Sequence, residues 1–388
     1  MRSVRVTCSV FTPIALCLIL FLTGAAAEAE TFEVPSYNYF FDVPEAWESM
    51  DLDTVEALSF RRRGEDTVFQ ALTLDGESFP DAEKLYGYIS QSLSFEGEPV
   101  PFRYNDFEAV FAEISFTAAG ERVYGYSISI NDCPEDLVLI AYAPESRYDQ
   151  VYRELLSCLD GFSAGRDARL LPGPVSQYQY PWPGPHTEPV SVEILGRPMR
   201  VVIDPTEKEV SQILIEREAE ILAALEELDA EAWSRYYTLI YRDTYPRFAP
   251  FNGSVREALM GERNDLPSDR VIAEELLAWI QGFSYERTGT VSDLLSPLTS
   301  VLENRGDCDA RCLAYMILLE YFGIDSILLV SSSYGHSIVA VDVPGPGARF
   351  EYRGTGYRVA ETTDDVDMGL IDRTMADPSG WIPMDLHP

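Results

Sequence analysis

The chain has 388 residues, with 64 acidic side chains against 29 basic ones and a formal net charge of −35 at pH 7. So acidic a protein repels phosphate groups, which argues against binding to nucleic acids or to anionic membrane surfaces. The length suffices for two or three domains.

The first 30 residues carry the pattern of a secretory signal peptide. Two arginines precede an apolar run from Val6 to Leu22, and small residues follow it. This order predicts a signal peptide over 1–27, cleaved after Ala27, with cleavage after Ala29 as the alternative. No later apolar run approaches the ~18 residues of a membrane-spanning helix. We therefore expect an extracytoplasmic protein, periplasmic or secreted, without a membrane span.

Residues 28–165 have the pattern of a separate α+β domain. Alternating runs over 55–62 and 67–74 flank a Gly-containing turn and predict a β-hairpin. The other predicted elements are helices over 81–92 and 148–159 and strands over 32–41, 107–117, 122–131 and 136–142. This order, with a Phe-x-Val-Pro-x-x-Trp opening that ends at Trp47, resembles the PsbP/Mog1-type fold. The resemblance implies a binding or scaffolding role.

Four cysteines remain after removal of the signal peptide: Cys133, Cys158, Cys308 and Cys312. Export permits disulfides, and Cys133 and Cys158 lie in one predicted domain. A disulfide between these two is one alternative, and two free thiols are the other. Cys308 and Cys312 are one helical turn apart, which is poor geometry for a bridge within a helix. With three histidines and no Cys-x-x-Cys, the sequence predicts no zinc site and no cofactor.

Residues 166–189 contain six prolines, from Pro172 to Pro189, interleaved with aromatic residues, and predict an extended linker. A second unit is expected over 190–388. It begins with a hairpin and continues with a helical lead-in over 205–290, a core over 291–365 and a tail over 366–388. The lead-in contains predicted helices over 207–228, 230–245 and 271–282. Its aromatic cluster of Trp233, Tyr236, Tyr237 and Tyr241 is expected either to line a groove or to lie in the core.

Cys308 lies where a tight turn leads into an apolar helix. The residues from Cys312 to Leu319 are apolar on nearly every helical face, which predicts a helix enclosed by protein. Cys308 then lies in the first helical turn, where free backbone N–H groups and the helix dipole favour a thiolate. The sequence therefore makes Cys308 a candidate nucleophile, and a nucleophile needs a base and a group that orients the base.

Two residues further along the chain are suited to those roles. His336 opens an apolar run that predicts a buried strand, whereas His186 lies in the predicted linker. Glu361 ends a later predicted strand, in the run 357–363, and is a candidate for the orienting carboxylate. The alternatives are a structural histidine and an ordinary surface acid.

The ordered set of these motifs resembles the transglutaminase-like superfamily. The motifs are Gly-Asp-Cys ending at Cys308, Gly-His ending at His336, and Tyr-x-Val-Ala-Glu-Thr-Thr ending at Thr363. The run 276–285 is similar to the lead-in helix of the family, and the resemblance covers roughly 265–365. It implies a papain-like fold with a helix that carries the cysteine against an antiparallel sheet. It also implies Cys308 as nucleophile, His336 as base and Glu361 as orienting acid.

The chain departs from the family at two positions. Ser337-Ile338 follow the histidine where many members have an aromatic residue, and the acid is Glu361 where it is often aspartate. The resemblance further implies a side-chain donor that completes an oxyanion hole with the backbone N–H of Cys308. Gln281 is the first candidate for this donor, and Trp279 is the alternative.

The sequence thus predicts an exported cysteine enzyme that acts on a peptide or isopeptide amide through a thioester, with hydrolysis favoured over transfer. The alternative is an idle transglutaminase-like scaffold that binds peptides or cell-envelope proteins. The expected partner is a peptide or protein substrate, with the cell envelope as one source, and not a nucleic acid.

Overall fold

The computed structural model describes residues 31–50, 57–76, 78–133, 135–225 and 228–387. It is a mixed α+β structure with several antiparallel sheets, which confirms the predicted class in this general form. The predicted signal peptide, 1–27, lies outside the described residues. Among the helices of the described ranges, none is long and apolar enough to cross a membrane.

The amino-terminal part is built on a large antiparallel sheet. Its strands are β1 (Thr31–Val34), β2 (Tyr39–Asp42), β3 (Trp47–Ser49), β4 (Ala57–Arg62), β5 (Val68–Leu74), β6 (Val100–Tyr104), β7 (Phe107–Ala118), β8 (Glu121–Cys133), β9 (Glu135–Pro144) and β10 (Phe162–Ala164). Seven of them pair in the order β3-β4-β5-β9-β8-β7-β6, and β1, β2 and β10 form a second sheet. The predicted hairpin is confirmed as β4 and β5, with Arg61 opposite Val68.

Two helices cover opposite faces of this sheet: α1 (Ala82–Leu93) and α2 (Glu145–Asp160). Side chains alternate between the faces of a strand. Val110 of β7 therefore packs with α1, whereas its neighbour Phe111 packs with α2. The sequence predicted both helices, and Asp81 caps the first of them by accepting a hydrogen bond from Lys84 N at 2.7 Å.

Cys133 and Cys158 are free thiols, so the structure does not contain the disulfide considered for this pair. Cys133 ends β8, Cys158 lies in α2, and both are buried in the same apolar core. Burial raises the pKa of both thiols. They therefore act as small apolar side chains of this core.

The first half of segment 166–189 is folded, so the prediction of an extended linker is wrong there. It contains a 3-10 turn (Asp167–Leu170) and the helix α3 (Pro174–Gln179). The buried Ser176 hydroxyl donates to the Asp160 carboxylate at 2.7 Å. Pro174 is compatible with this helix because the first helical position needs no N–H donor.

The carboxy-terminal part begins with a hairpin and a group of helices. Its helices are α4 (Glu207–Ala223), α5 (Ala230–Thr244), α6 (Ala249–Met260), α7 (Asp269–Gln281), α8 (Pro297–Glu303) and α9 (Cys308–Glu320). Its strands are β11 (Glu188–Ile194), β12 (Arg197–Ile203), β13 (Ser284–Tyr285), β14 (Arg305–Gly306), β15 (Ser326–Ser331), β16 (His336–Val341), β17 (Arg349–Tyr352), β18 (Thr355–Ala360) and β19 (Ile382–Met384). The predicted hairpin and the helices α5 and α7 are confirmed. Helix α4 ends at Ala223, earlier than predicted, and α6 and α8 were not predicted.

Helix α9 packs against a five-stranded antiparallel sheet of order β17-β18-β16-β15-β19. Residues 310–319 of the helix are at most 1% exposed, which confirms the predicted enclosure. The prediction of a tail over 366–388 is wrong for residues 382–384, because β19 pairs with β15 and places Met384 opposite Leu328. The tail therefore completes the sheet that faces the candidate nucleophile.

Buried ion pairs join the amino-terminal part to α4 and α5. Glu218 of α4 accepts hydrogen bonds from Arg217 at 2.7 Å, from Arg235 of α5 at 3.1 Å and from Ser157 of α2 at 2.8 Å. Arg217 also donates to Asp160 of α2 at 2.6 Å. All of these side chains are buried. Such charges are tolerated in a low-dielectric interior only when they are paired and hydrogen-bonded, so the two parts share one polar core.

Candidate active site

Cys308 is the first residue of α9. The side chain of Asp307 caps the helix by accepting from Ala310 N at 3.0 Å. Gly306 allows the close approach of α8, because a Cβ at this position would lie 2.1 Å from Ser300 Oγ. The first amides of a helix have no acceptor within the helix itself. The Cys308 N–H, at the first position of α9, therefore has no acceptor within the helix, and its role as an oxyanion donor stays a prediction.

His336 opens β16 and faces Cys308 and Glu361. Gly335, in front of it, has φ +59°, a left-handed conformation that glycine adopts without strain. His336 Nε2 lies 2.8 Å from Glu361 Oε2, so Nδ1 is the ring nitrogen left for Cys308. Burial opposes protonation of the imidazole, but hydrogen bonds with Cys308 and Glu361 outweigh burial and raise the His336 pKa to about 10. The ring is therefore cationic at neutral pH.

Glu361 follows the last residue of β18 and is held on both carboxylate oxygens. Oε2 contacts His336, and Oε1 accepts from Thr363 N at 2.8 Å and from Thr363 Oγ1 at 2.6 Å. Burial raises the pKa of this carboxyl, but the bonds with His336 and Thr363 outweigh burial and hold it below its ordinary value. The structure thus brings together the three residues singled out in the sequence, with a charged acid behind the imidazole.

The two candidates for a side-chain oxyanion donor are not placed for that role. Gln281 Nε2 donates to the backbone oxygens of Glu361 at 2.8 Å and Val366 at 2.9 Å, so both amide hydrogens are used. Trp279 packs edge-on against Phe283 and lines a different cavity, away from Cys308. Gln281 is instead a positioning residue, since it fixes the segment that carries Glu361.

Arg311 is a structural residue of the site that the sequence analysis missed. Its guanidinium is 1% exposed and donates to Gly306 O at 3.0 Å, to Phe283 O at 2.7 Å and to Thr362 O at 3.3 Å. It thereby ties the turn before Cys308 to the residue after Glu361. A charged residue on an otherwise apolar helix was the available signal, because a buried arginine requires several acceptors.

Trp381, in the predicted tail, flanks the imidazole. Its ring centroid lies 6.4 Å from that of His336 and 5.3 Å from that of Tyr334, and its Nε1 donates to Met375 O at 2.9 Å. The aromatic neighbour that the family motif would place directly after the histidine is absent from positions 337 and 338. Here an aromatic residue reaches the histidine from the C-terminal strand region.

Asp307, Cys308 and Asp309 form a compact group in which one potential ligand atom of each lies within 4.8 Å of the others. Asp307 does not fit a metal site, because its two oxygens already accept from Ala310 N at 3.0 Å and Leu295 N at 2.8 Å. Asp309 faces the Tyr237 hydroxyl and the His336 imidazole, which oppose the rise in its pKa caused by burial. The group is better explained as a helix cap and an acid beside the imidazole.

Asp307 gives the site a predicted pH dependence. Burial and the charge of Asp309 raise its pKa from 3.8 to about 7. The unfolded chain releases this proton near pH 4 and the folded chain near pH 7, so stability falls as pH rises between them. Asp309→Asn removes the repelling charge and also a second carboxyl whose own pKa is raised by burial, so this fall is expected to shrink by at least roughly 1 kcal/mol, the equivalent of about one pKa unit. Urea unfolding of wild type and variant at pH 4.5 and 8 measures the difference.

Asp364 provides the control for this prediction, because its side chain is exposed and lies outside the group. Asp364→Asn is expected to leave the pH dependence of the unfolding free energy as in wild type. An Asp309→Asn protein that loses as much stability between the two pH values as wild type would contradict the prediction.

A cavity of about 390 Å³ opens at Cys308 and His336. Its wall comes mainly from α4 and α5, and three of the four predicted aromatic residues line it: Trp233, Tyr236 and Tyr237. Tyr241 lies in the core with no exposed surface. The aromatic cluster therefore serves both of the roles considered, since one end builds the core and the other forms the cavity wall.

Comparisons with known proteins do not identify the chain. No family model matches, and no curated protein matches. Among solved structures, the chain is similar to cyanobacterial PsbP (CyanoP) from Synechocystis sp. PCC 6803, with 12% identity and a TM-score of 0.29 over 39% of this chain and 98% of the other. It is also similar to a Bacteroides thetaiotaomicron protein, with 9% identity and a TM-score of 0.25 over 76% and 97%.

A further structure is described as that of a proposed protease from Parabacteroides distasonis, with 8% identity and a TM-score of 0.22 over 80% of this chain and 68% of the other. At these levels of similarity, none of the three structures carries an argument about fold or chemistry. The residues of the site itself therefore have to support any functional proposal.

Proposed function

We propose that the protein is an exported cysteine enzyme of transglutaminase-like type that hydrolyses a peptide or isopeptide amide through a thioester. The observation that carries the proposal is the position of His336 between Cys308 and the buried carboxylate of Glu361. A buried acid, an imidazole and a thiol in this order form the arrangement that activates a nucleophile. In this proposal, the protein works outside the cytoplasm on a peptide or protein partner.

The chemistry follows from the positions of the three groups. The thiolate of Cys308 attacks the amide carbon, and the oxygen that becomes negative accepts a hydrogen bond from the Cys308 amide. The C–N bond breaks as the imidazolium of His336 gives its proton to the leaving amine. Glu361 holds the ring through Nε2, which keeps Nδ1 directed to the reacting atoms. Water then attacks the thioester, with His336 as base, and releases the acid and the thiol.

The acceptor decides between two reactions of the same thioester. Water gives hydrolysis, and a primary amine gives transamidation. We propose water, because it reaches any site that is open to solvent, whereas an amine has to be bound beside Cys308.

An experiment in H₂¹⁸O tests the proposal. The protein is incubated with a complex mixture of peptides and a fluorescent primary amine, and the products are identified by mass spectrometry. The wild type is expected to produce new carboxyl termini that carry ¹⁸O. Cys308→Ala is expected to lose at least about 10³-fold of this activity, because no other described group replaces the nucleophile.

Cys312→Ala is the matched control, since this second thiol of α9 is fully buried and contacts Thr362 Oγ1 at 3.4 Å. It is expected to keep the activity. Amine adducts in place of ¹⁸O would mean a transferase. Equal activity of Cys308→Ala and wild type would overturn the proposal, and the alternative of a peptide-binding scaffold would then take its place.

A further inference from the structure

The cavity at Cys308 is lined on one side by apolar and aromatic side chains. They come from α4, α5 and the segments next to them, namely Ala219, Leu222, Ala223, Leu228, Trp233 and Tyr236. Cys308, His336 and the end of β15 line the same cavity. A group bound to the thiol therefore extends along a mostly apolar wall, and such walls bind ligands chiefly through the burial of apolar surface.

Besides His336, two charged side chains line the cavity, and both already have partners. Arg287 donates to Asp293 at 2.6 Å and to the Tyr285 hydroxyl at 3.1 Å. Asp309 faces the Tyr237 hydroxyl and the imidazolium of His336. A charged substrate side chain in the cavity would thus lose its hydration without gaining a free counter-charge, which is costly.

Trp233 is an aromatic part of this wall. It stacks on Tyr237 with ring centroids 6.0 Å apart, and its Nε1 is enclosed by protein, so this nitrogen offers no donor to a group in the cavity. The wall is thus suited to an uncharged group that is large and apolar.

We propose that this cavity selects acyl donors with a bulky uncharged side chain, aromatic or branched aliphatic, next to the scissile carbonyl. The inference rests on the proposed function, because it concerns the group attached to Cys308 in the thioester. It goes beyond that function by naming the class of residue that the enzyme prefers on the acyl side of the bond.

Thiol-directed reagents test the preference without a known substrate. Each reagent is an iodoacetamide whose thiolate substitution forms a C–S bond and expels iodide. The three are iodoacetamide, its N-(2-phenylethyl) derivative and a derivative with a carboxylate on a chain of similar length. The rate of labelling at Cys308, mapped by mass spectrometry, is divided by the rate with free glutathione to remove differences in intrinsic reactivity.

In the wild type, the phenylethyl reagent is expected to react at least about tenfold faster than iodoacetamide after this correction, the gain typical of burying one aromatic ring. The carboxylate reagent is expected to react no faster than iodoacetamide. Ala223→Trp fills the cavity from an exposed position on α4, so it should bring the corrected rate of the phenylethyl reagent down to about that of iodoacetamide in the same variant.

Ala224→Trp is the matched control, because Ala224 is the exposed neighbour of Ala223 and does not line the cavity. It should keep the wild-type ratio of the corrected labelling rates of the phenylethyl reagent and iodoacetamide. A Cys308 that reacts readily with iodoacetamide but shows no phenylethyl preference would overturn this inference and leave the proposed function standing. Equal ratios in Ala223→Trp and wild type would also overturn it. A Cys308 that is inert to iodoacetamide at neutral pH would overturn both.

Discussion

His336→Ala is expected to reduce substrate turnover by about 10²–10⁴-fold, the contribution typical of a general acid–base residue. The variant removes the proton donor for the leaving amine and also the positive charge beside the thiol. The His336 pKa of about 10 keeps that charge in place throughout the neutral range, where an ordinary histidine would lose it near 6.5. The loss should therefore be visible at pH 7 and at pH 8.5.

The same variant should change the reactivity of the thiol itself. An unassisted cysteine is only a few per cent thiolate at pH 7, so labelling of Cys308 by iodoacetamide is expected to slow by roughly tenfold. Labelling of wild type and variant from pH 5 to pH 9, with the modified residue mapped, measures this effect. His336 carries a proton over this whole range in the wild type, so the labelling advantage should persist at the acidic end.

His186→Ala serves as the control, because the His186 side chain is exposed and only its backbone N–H bonds to Asp204. It should leave both turnover and labelling as in wild type. If Cys308 were labelled equally fast in His336→Ala and wild type at pH 7, no thiolate–imidazolium pair would exist, and the catalytic proposal would fail with it.

Glu218→Gln is expected to lower the free energy of unfolding by about 3–5 kcal/mol, the range found when one partner of a buried ion pair is removed. The carboxylate is 2% exposed and lies between the buried guanidiniums of Arg217 and Arg235. Glutamine keeps the volume but not the charge, so the variant leaves two buried cations short of a counter-charge. Urea denaturation followed by tryptophan fluorescence measures the loss.

Glu220 on the same helix gives a matched comparison. It pairs with Arg153, and both side chains are more than a third exposed. Glu220→Gln should cost at most about 1 kcal/mol, the usual upper value for a surface ion pair. Equal costs for the two variants would show that the buried cluster contributes no more than a surface pair.

The Glu218 prediction also bears on the site. Helices α4 and α5 carry both the cluster and residues of the apolar cavity wall. Loosening the cluster in Glu218→Gln is therefore expected to weaken any preference for aromatic reagents at Cys308. The amino-terminal part thus contributes to the site by fixing the helices that line it.

The sequence by itself determined those helices, strands and site residues that depend on interactions between neighbouring residues in the chain. The apolar faces of α9, the hairpin of β4 and β5, and the apolar run of β16 depend on residues close together in the chain. They predicted the helix start at Cys308, the strand start at His336 and the acid at Glu361. The order of these three residues, read with the family resemblance, was enough to propose one site.

Only the tertiary structure decided which distant groups meet. Gln281 donates to carbonyls 80 and 85 residues further along the chain, Arg311 reaches Thr362, and β19 adds to β15. A side-chain amide or guanidinium can donate to many different acceptors. The periodicity of a sequence does not predict which acceptor it contacts in the folded protein. The prediction of an extended linker over 166–189 failed because it used local preferences alone. The prolines favour an extended chain locally, whereas burial of α3 against α2 and α4 favours a helix. Local preferences are worth tenths of a kcal/mol per residue, and burial and buried polar pairing are worth more.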